Sequence, residues 1–187
     1  MSMDVLDAIR LRRSVRSYTP MPVDAASVRA LLDAAVQAPS ARNLQPWSFV
    51  VIQDRPWLAR IGERAKQAWR DDPHWKGALA FADPGFDIFH GAGTLVVICA
   101  RDEGFAPIGD CYLAAENLML AACGMGLATC PVGLARDVLQ APDLRASLHI
   151  PDGERAVLPI VVGHPAGTTP ASSRTPPRIH AWLANGA

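Results

Sequence analysis

Thr94-Leu95-Val96-Val97-Ile98-Cys99-Ala100, followed by the Ala/Leu/Met-rich run from Asp110 to Gly124, sets the architecture of this chain. The first run is apolar and β-branched, which predicts a central strand. The second carries good helix formers on nearly all sides and predicts a long central buried helix.

Working outward, Asp4 to Leu11 places Val5, Leu6 and Ile9 at helical spacing. Asp24 is suited to cap a second helix whose Val28, Leu31, Leu32, Ala35 and Val36 share a face, and Pro39 stops it near Ala38. Ser48 to Gln53 reads as a strand, and Pro56 suits the first turn of a helix carrying Leu58, Ile61 and Ala65. Arg70 to Gly93 reads as loop, Leu127 to Val132 as a short strand, and Val138 to Leu148 as a weaker helix interrupted by Pro142. Ala156 to Gly163 is another buried strand, and Pro165 to Pro177 is extended. Helices and strands alternate without a regular βαβ repeat, so an α+β fold is expected over a doubly wound one.

At 187 residues, half of them hydrophobic, the chain fits one domain over 1–187. No apolar run approaches the roughly 20 residues of a membrane span, and the start lacks the basic-then-apolar pattern of a signal peptide. No membrane association and a cytoplasmic location are therefore expected. Eighteen basic residues against eighteen acidic ones give a formal charge of zero, which argues against nucleic-acid binding and for a small-molecule substrate. Cys99, Cys111, Cys123 and Cys130 form no C-x-x-C pair and read as reduced core thiols in preference to metal or redox groups. The five histidines are scattered, so no metal site is expected and an organic cofactor is the better source of chemistry.

Three segments can serve such a cofactor. Arg12-Arg13-Ser14-Val15-Arg16 falls where the first helix ends: guanidiniums there suit a phosphate, or simply face water near the helix dipole. Ala38-Pro39-Ser40-Ala41-Arg42-Asn43-Leu44-Gln45-Pro46-Trp47 holds short amide and hydroxyl side chains between two prolines, a rigid hydrogen-bonding loop or an ordinary turn. Thr129-Cys130-Pro131-Val132-Gly133 follows a Gly124-Met125-Gly126 break and lets backbone N–H groups approach a planar ring.

These segments, with Asp110-Cys111-Tyr112-Leu113-Ala114-Ala115-Glu116-Asn117-Leu118 and Pro159-Ile160-Val161-Val162-Gly163-His164-Pro165, resemble landmarks of the FMN-dependent nitroreductase family, in that family's order. The resemblance implies a central mixed sheet flanked by helices in a homodimer, with FMN at the subunit interface. A C-terminal tail, 165–187, would be exchanged onto the partner, with Arg178 to Trp182 matching the exchanged segment. It further implies that Arg12 and Arg174 hold the phosphate with Arg13 near it, that Ser14 touches the ribityl chain, and that Arg16 lies near N1 and O2 of the ring. Pro39, Ser40 and Asn43 would come from the partner, and the backbone around Pro131, Val132 and Gly133 would face N5 and O4.

The sequence departs from many relatives at Ala41, where they have a hydroxyl, and at Gly85 to Ile88, where they have an Asn and a Lys. Trp69, Trp75, Phe81, Phe86 and Phe89 would lie in the segment covering the site. The implied activity is NAD(P)H-dependent flavin oxidoreduction of nitroaromatics, quinones or similar flat acceptors, with NADH or NADPH as co-substrate and no catalytic side-chain acid or base. The alternatives are a reductive dehalogenase or flavin-fragmenting enzyme of the same fold, and a flavin-binding protein without turnover.

Overall fold

Four strands form one sheet in the order β1 (Trp47–Ile52), β2 (Thr94–Arg101), β4 (Glu154–Gly163), β3 (Ala128–Pro131), in a computed structural model that describes residues 3–71, 83, 85–101 and 106–184. Every neighbouring pair is antiparallel. The expected mixed sheet is thus antiparallel among the described residues. Its parallel component is a single bridge between Ser14 and Thr129, contributed by a short arginine-rich segment.

The helices are α1 (Val5–Leu11), α2 (Ala25–Ala35), α3 (Arg55–Asp71), α4 (Ala106–Gly124) and α5 (Pro142–Ser147). Strand β2 is buried along its length because both faces are apolar. Val96, Ile98 and Ala100 join Ile160 and Val162 of β4 against α2 and α4, while Leu95, Val97 and Cys99 meet Leu58, Ile61 and Ala65 of α3 on the other face. This is a helix-sheet-helix arrangement built on two-residue alternation along β2, with a bulge in β4 at Val157.

Several expected elements shift for identifiable reasons. Helix α4 begins at Ala106, because Pro107 is accepted in a first turn. It is not buried all round: Tyr112 and Leu113 stand about half exposed, 49% and 48%, on the face that neither sheet nor neighbouring helix covers. The Val5, Leu6 and Ile9 stripe of α1 faces outward, and only Ala8 of that helix is buried. Helix α2, capped by Asp24 Oδ1 accepting from Ser27 N–H at 2.8 Å, ends at Ala35 and yields to a turn before Pro39. Pro142 starts α5 instead of interrupting a longer helix, and a 3-10 turn, Val138–Gln140, precedes it. Arg70 and Asp71 belong to α3 instead of the expected loop, and most of 72–84, including Trp75 and Phe81, lies outside the described residues.

After β4 the chain pairs with the segment that follows α1. Thr19 N–H donates to His164 O at 2.9 Å and Ala166 N–H to Ser17 O at 3.0 Å. Residues 168–184 then run without helix or strand, and Ile179, Trp182 and Leu183 are exposed. Among the described residues no helix is long and apolar enough to cross a membrane.

Candidate functional site

Two of the three sequence segments meet at the edge of the sheet. Val15 N–H donates to Thr129 O at 3.0 Å, beside the Ser14–Thr129 bridge, so the arginine segment lies along β3. Tyr18 fixes its far end: the ring is buried against Gly163, and the hydroxyl donates to Val15 O at 2.8 Å. Burial first, and the nearby Cys130 thiol second, push the Tyr18 hydroxyl well above the ordinary tyrosine range, so it stays protonated and donating.

This seating brings Arg12, Arg13, Ser14 and Arg16 together with Thr169, Ser172 and Arg174 around a hollow of about 330 Å³. Four guanidiniums and three hydroxyls line it, in a chain whose formal charge is zero. The helix-dipole reading of these arginines is therefore insufficient: three of them sit in one arginine cluster with a residue 158 positions or more further along the chain. Their internal bonds are few. Arg13 Nη1 donates to Arg10 O and Arg12 O at 2.6 and 2.8 Å, Arg16 Nη1 reaches Ser14 O at 3.4 Å, and Arg174 Nη1 reaches Ser173 O at 3.3 Å. Arg12 Nε lies 3.3 Å from Glu116 Oε1, an ion pair without hydrogen-bond alignment. The Nε atoms of both Arg12 and Arg13 are buried with no hydrogen-bond partner. Such a donor set matches a phosphate, which is close to doubly charged and accepts several charge-assisted bonds.

A second hollow of about 200 Å³ shares Arg12, Arg13 and Thr169 and continues past Met119, Leu127 and Thr129. A larger cavity, about 550 Å³, lies elsewhere between Ile108, Tyr112, Gln140 and Val157 and contains none of the expected site residues. Its charges are already matched in part, since Arg136 pairs with Asp137 at 2.9 Å and Glu154 accepts from Ser48 Oγ. The arginine hollow is the better candidate, because its cations outnumber the carboxylates that face them.

The third segment contributes less than its sequence suggests. Val132 is buried, and its N–H is already donated to Pro159 O at 2.8 Å. Pro131 has no N–H, so donation from this loop falls to Gly133, which opens the 3-10 turn Gly133–Ala135. Trp69 holds that turn from α3, with Nε1 donating to Leu134 O at 2.9 Å.

The second segment is not brought to the arginines within one chain. Ala41 N–H donates to Asp110 Oδ2 at 3.1 Å, near the start of α4, whereas the paired hollows reach Met119 and Cys123 near its end. From Asp110 it is about 20 Å of helix axis to Cys123 and about 9 Å to Glu116, the ion-pair partner of Arg12, and no residue of the second segment lines either hollow. The loop itself is rigid: Ser40 Oγ accepts from Gln45 N–H at 2.9 Å, and Arg42, Asn43 and Gln45 all have left-handed backbones, with φ of 53°, 56° and 46°. Holding three non-glycine residues there costs backbone energy, as is common where a loop presents groups to a ligand. Asn43 is exposed and Ser40 half-buried.

Sequence reading did not single out Thr169 or Ser172. The Ser/Thr-rich composition around Arg174 was the available signal for both. Glu116 was legible only as part of the Asp110–Leu118 landmark, and its pairing with Arg12 comes from the fold. All four cysteines are free thiols, and burial raises each pKa, which makes them poor nucleophiles. Among the described residues no His, Cys, Asp and Glu group is arranged to hold a metal.

The architecture is an antiparallel α+β sheet with an arginine-lined hollow at its edge. The chain belongs to the nitroreductase family, whose model matches residues 9–164. It is 26% identical to a nitroreductase with bound FMN from Bacteroides fragilis, with a TM-score of 0.83 over 98% of this chain and all of that one. A Methanothermobacter thermautotrophicus protein named for NADH dehydrogenase or NAD(P)H nitroreductase activity is 33% identical over 125 residues, 64% of this chain. A protein of the same name from Archaeoglobus fulgidus is 32% identical over 124 residues, again 64% of this chain. The chain spans 56% and 61% of the lengths of those two relatives.

Proposed function

We propose that this protein is an FMN-dependent NAD(P)H oxidoreductase that reduces nitroaromatics, quinones or similar flat electron acceptors. The observation that carries the reading is the gathering of Arg12, Arg13, Arg16 and Arg174 around one hollow, in a chain similar to an FMN-bound nitroreductase. Arg12, Arg13 and Arg174, with the Thr169 and Ser172 hydroxyls, hold the phosphate. Ser14 would bind the ribityl chain, Arg16 would favour negative charge on the pyrimidine side of the ring, and Gly133 would offer its N–H to the ring. FMN, when bound, supplies the two-electron chemistry, and the side chains orient and tune it. One site then serves donor and acceptor in turn, which gives ping-pong kinetics.

The working unit in this reading is a homodimer in which the partner subunit's Pro39, Ser40 and Asn43 border the flavin. Support comes from the arginine hollows being lined by no residue of the second segment of the same chain. Exposed apolar side chains on α1 (Val5, Leu6, Ile9), α4 (Tyr112, Leu113) and the tail (Ile179, Trp182, Leu183) point the same way. The tail 165–187 reaches over the partner.

Purified protein should be yellow and release FMN, not FAD, on denaturation. Anaerobic addition of NADH or NADPH should bleach it, and an acceptor panel of nitroaromatics, quinones and halogenated phenols should restore the colour. Colourless protein that takes up no added FMN overturns the reading.

A further inference from the structure

Helix α3 carries two residues, about one turn apart, that folding alone does not call for. Gly62 stands in the middle of the helix, where glycine is less stable than alanine, yet an added Cβ would meet Phe89 and Ile88 only at ordinary contact distances of 3.7 and 3.8 Å. Close packing therefore does not require a glycine. Lys66, four residues on, has a side chain only 5% exposed, although lysine is almost never buried unless it is paired. Its one ion pair among the described residues is with Glu63 Oε1 at 2.6 Å, and that glutamate is 68% exposed. An apolar side chain at position 66 would bury without the cost of desolvating an ammonium.

Both residues border one hollow of about 290 Å³ between α3 and the chain that leads into β2. Leu58, Gly62 and Lys66 recur every four residues and share a face of the helix, with Ile88 and Phe89 opposite them. Asp87 holds that opposite wall in place, since one carboxylate oxygen accepts from Phe89 N–H at 2.9 Å and the other from Gly91 N–H at 2.8 Å. The glycine leaves room in the middle of the hollow, and the lysine puts a buried charge at one end of it. Two choices that each cost stability, made at one cavity, mark a functional site better than a packing one. We propose that this hollow binds a small monocarboxylic acid with a compact apolar body, its carboxylate on Lys66 Nζ and its body over Gly62 against Ile88 and Phe89.

The charges around the hollow select the ligand. An ammonium has three donors, and Glu63 engages one of them, so Lys66 can serve a second carboxylate. Among the described residues that line the hollow, Arg55 and Lys66 are cationic and Glu63 and Asp87 anionic, so its charge balances before a ligand arrives. That suits a singly charged carboxylate better than a phosphate. Arg55 stands at the far end, about 16 Å from Lys66 along the helix axis, which leaves Lys66 as the anchor. The exposed Glu63 carboxylate repels the incoming anion and holds the lysine in place when the hollow is empty. None of the residues around Arg12 and Arg174 lines this hollow, so the inference stands apart from the flavin reading.

Calorimetric titration of benzoate into the purified full-length protein tests this. Benzoate should bind, and benzamide, which has the same ring without the charge, should bind roughly tenfold or more weakly, the worth of one charge-assisted bond. Lys66→Met keeps an unbranched apolar stem and drops the charge, so benzoate affinity should fall by a similar factor. Its denaturant midpoint should stay level or rise, because an apolar side chain in place of a buried ion is often neutral or stabilising. Gly62→Leu fills the hollow and should abolish binding, whereas Glu63→Gln removes a like charge and should tighten it. Far-UV circular dichroism confirms that each variant is folded. Benzoate binding that persists unchanged in both Lys66→Met and Gly62→Leu belongs to another part of the molecule and overturns the proposal. So does benzamide binding as tightly as benzoate, or the absence of benzoate binding to the wild-type protein.

Discussion

Ala41 N–H and Asp110 Oδ2 are joined at 3.1 Å, which ties the Pro39–Asn43 loop to the start of the helix whose later turns carry Glu116, the ion-pair partner of Arg12. In the proposed function the loop of one subunit and the arginines of its partner would form the two halves of a flavin site, which a two-fold dimer would close.

Subunit complementation tests that arrangement. Arg12→Ala and Asn43→Ala homodimers should each retain FMN poorly. A heterodimer of the two carries both defects in one site and neither in the other, so half of its sites should bind FMN as tightly as wild type. Isolating the heterodimer by differential tags and titrating FMN checks it. If both segments came from the same chain, mixing would restore nothing. Deleting 178–187 should shift the mass by light scattering toward the monomer and lower FMN occupancy.

The arginines divide by role. In the proposed site Arg12→Ala or Arg174→Ala would remove a charge-assisted bond to the phosphate, worth about 1.5–3 kcal/mol, so FMN affinity should fall roughly tenfold or more with little change in midpoint potential. Arg16→Ala should lower the potential and slow hydride uptake even with FMN saturating, because a cation beside N1 favours the negatively charged reduced ring. Redox titration at saturating FMN separates the two classes. A wild-type potential in Arg16→Ala with a shifted one in Arg174→Ala would mean ring and phosphate are placed the wrong way round.

How far the sequence carries is visible in these same residues. Strand β2, helix α4 and the Asp24 cap were legible because hydrophobic period and capping chemistry are local. The outward turn of Val5, Leu6 and Ile9 was not, since periodicity marks a face without saying whether this chain or another covers it. The arginine cluster was legible only through resemblance, because Arg12 and Arg174 meet across almost the whole chain. Val132 was read as a donor, but strand pairing had already claimed its N–H. Glu116 was legible only as part of the Asp110–Leu118 landmark, and its pairing with Arg12 comes from the fold.

The thiols give a pH prediction. Burial, with Glu154 adding to it, pushes Cys99 up to about 12 from an ordinary value of 9.0. Burial does the same to Cys111, also to about 12, with Asp110 and Glu154 contributing. Between pH 9 and 12 the unfolded chain loses these protons while the folded one keeps them, so stability is full below about pH 9 and falls as pH rises through that window. Cys111→Ala should flatten the fall in denaturant midpoint over this range relative to wild type. An unchanged slope would mean the thiol is not the group responsible.

Gly163 and Tyr18 link the core to the site. A Cβ at Gly163 would stand 2.8 Å from Tyr18 Cδ1, closer than real contacts allow, so Gly163→Ala must move the ring. Tyr18 also donates to Val15 O at 2.8 Å, and Val15 N–H is bonded to Thr129, so the displacement passes into the Arg12–Arg16 segment. Overpacking of this kind costs about 1–3 kcal/mol, and FMN retention should fall with it although neither residue lines the hollow. Replacing Tyr18 by Leu makes room for the new methyl, so the Gly163→Ala/Tyr18→Leu pair should cost less stability than the sum of the single changes. It should not recover FMN affinity, because Leu cannot donate to Val15 O and the arginine segment stays loosely seated. Denaturant unfolding and FMN titration of the four proteins decide this. Strict additivity in stability would show that Gly163 is required for something other than the seat of the Tyr18 ring.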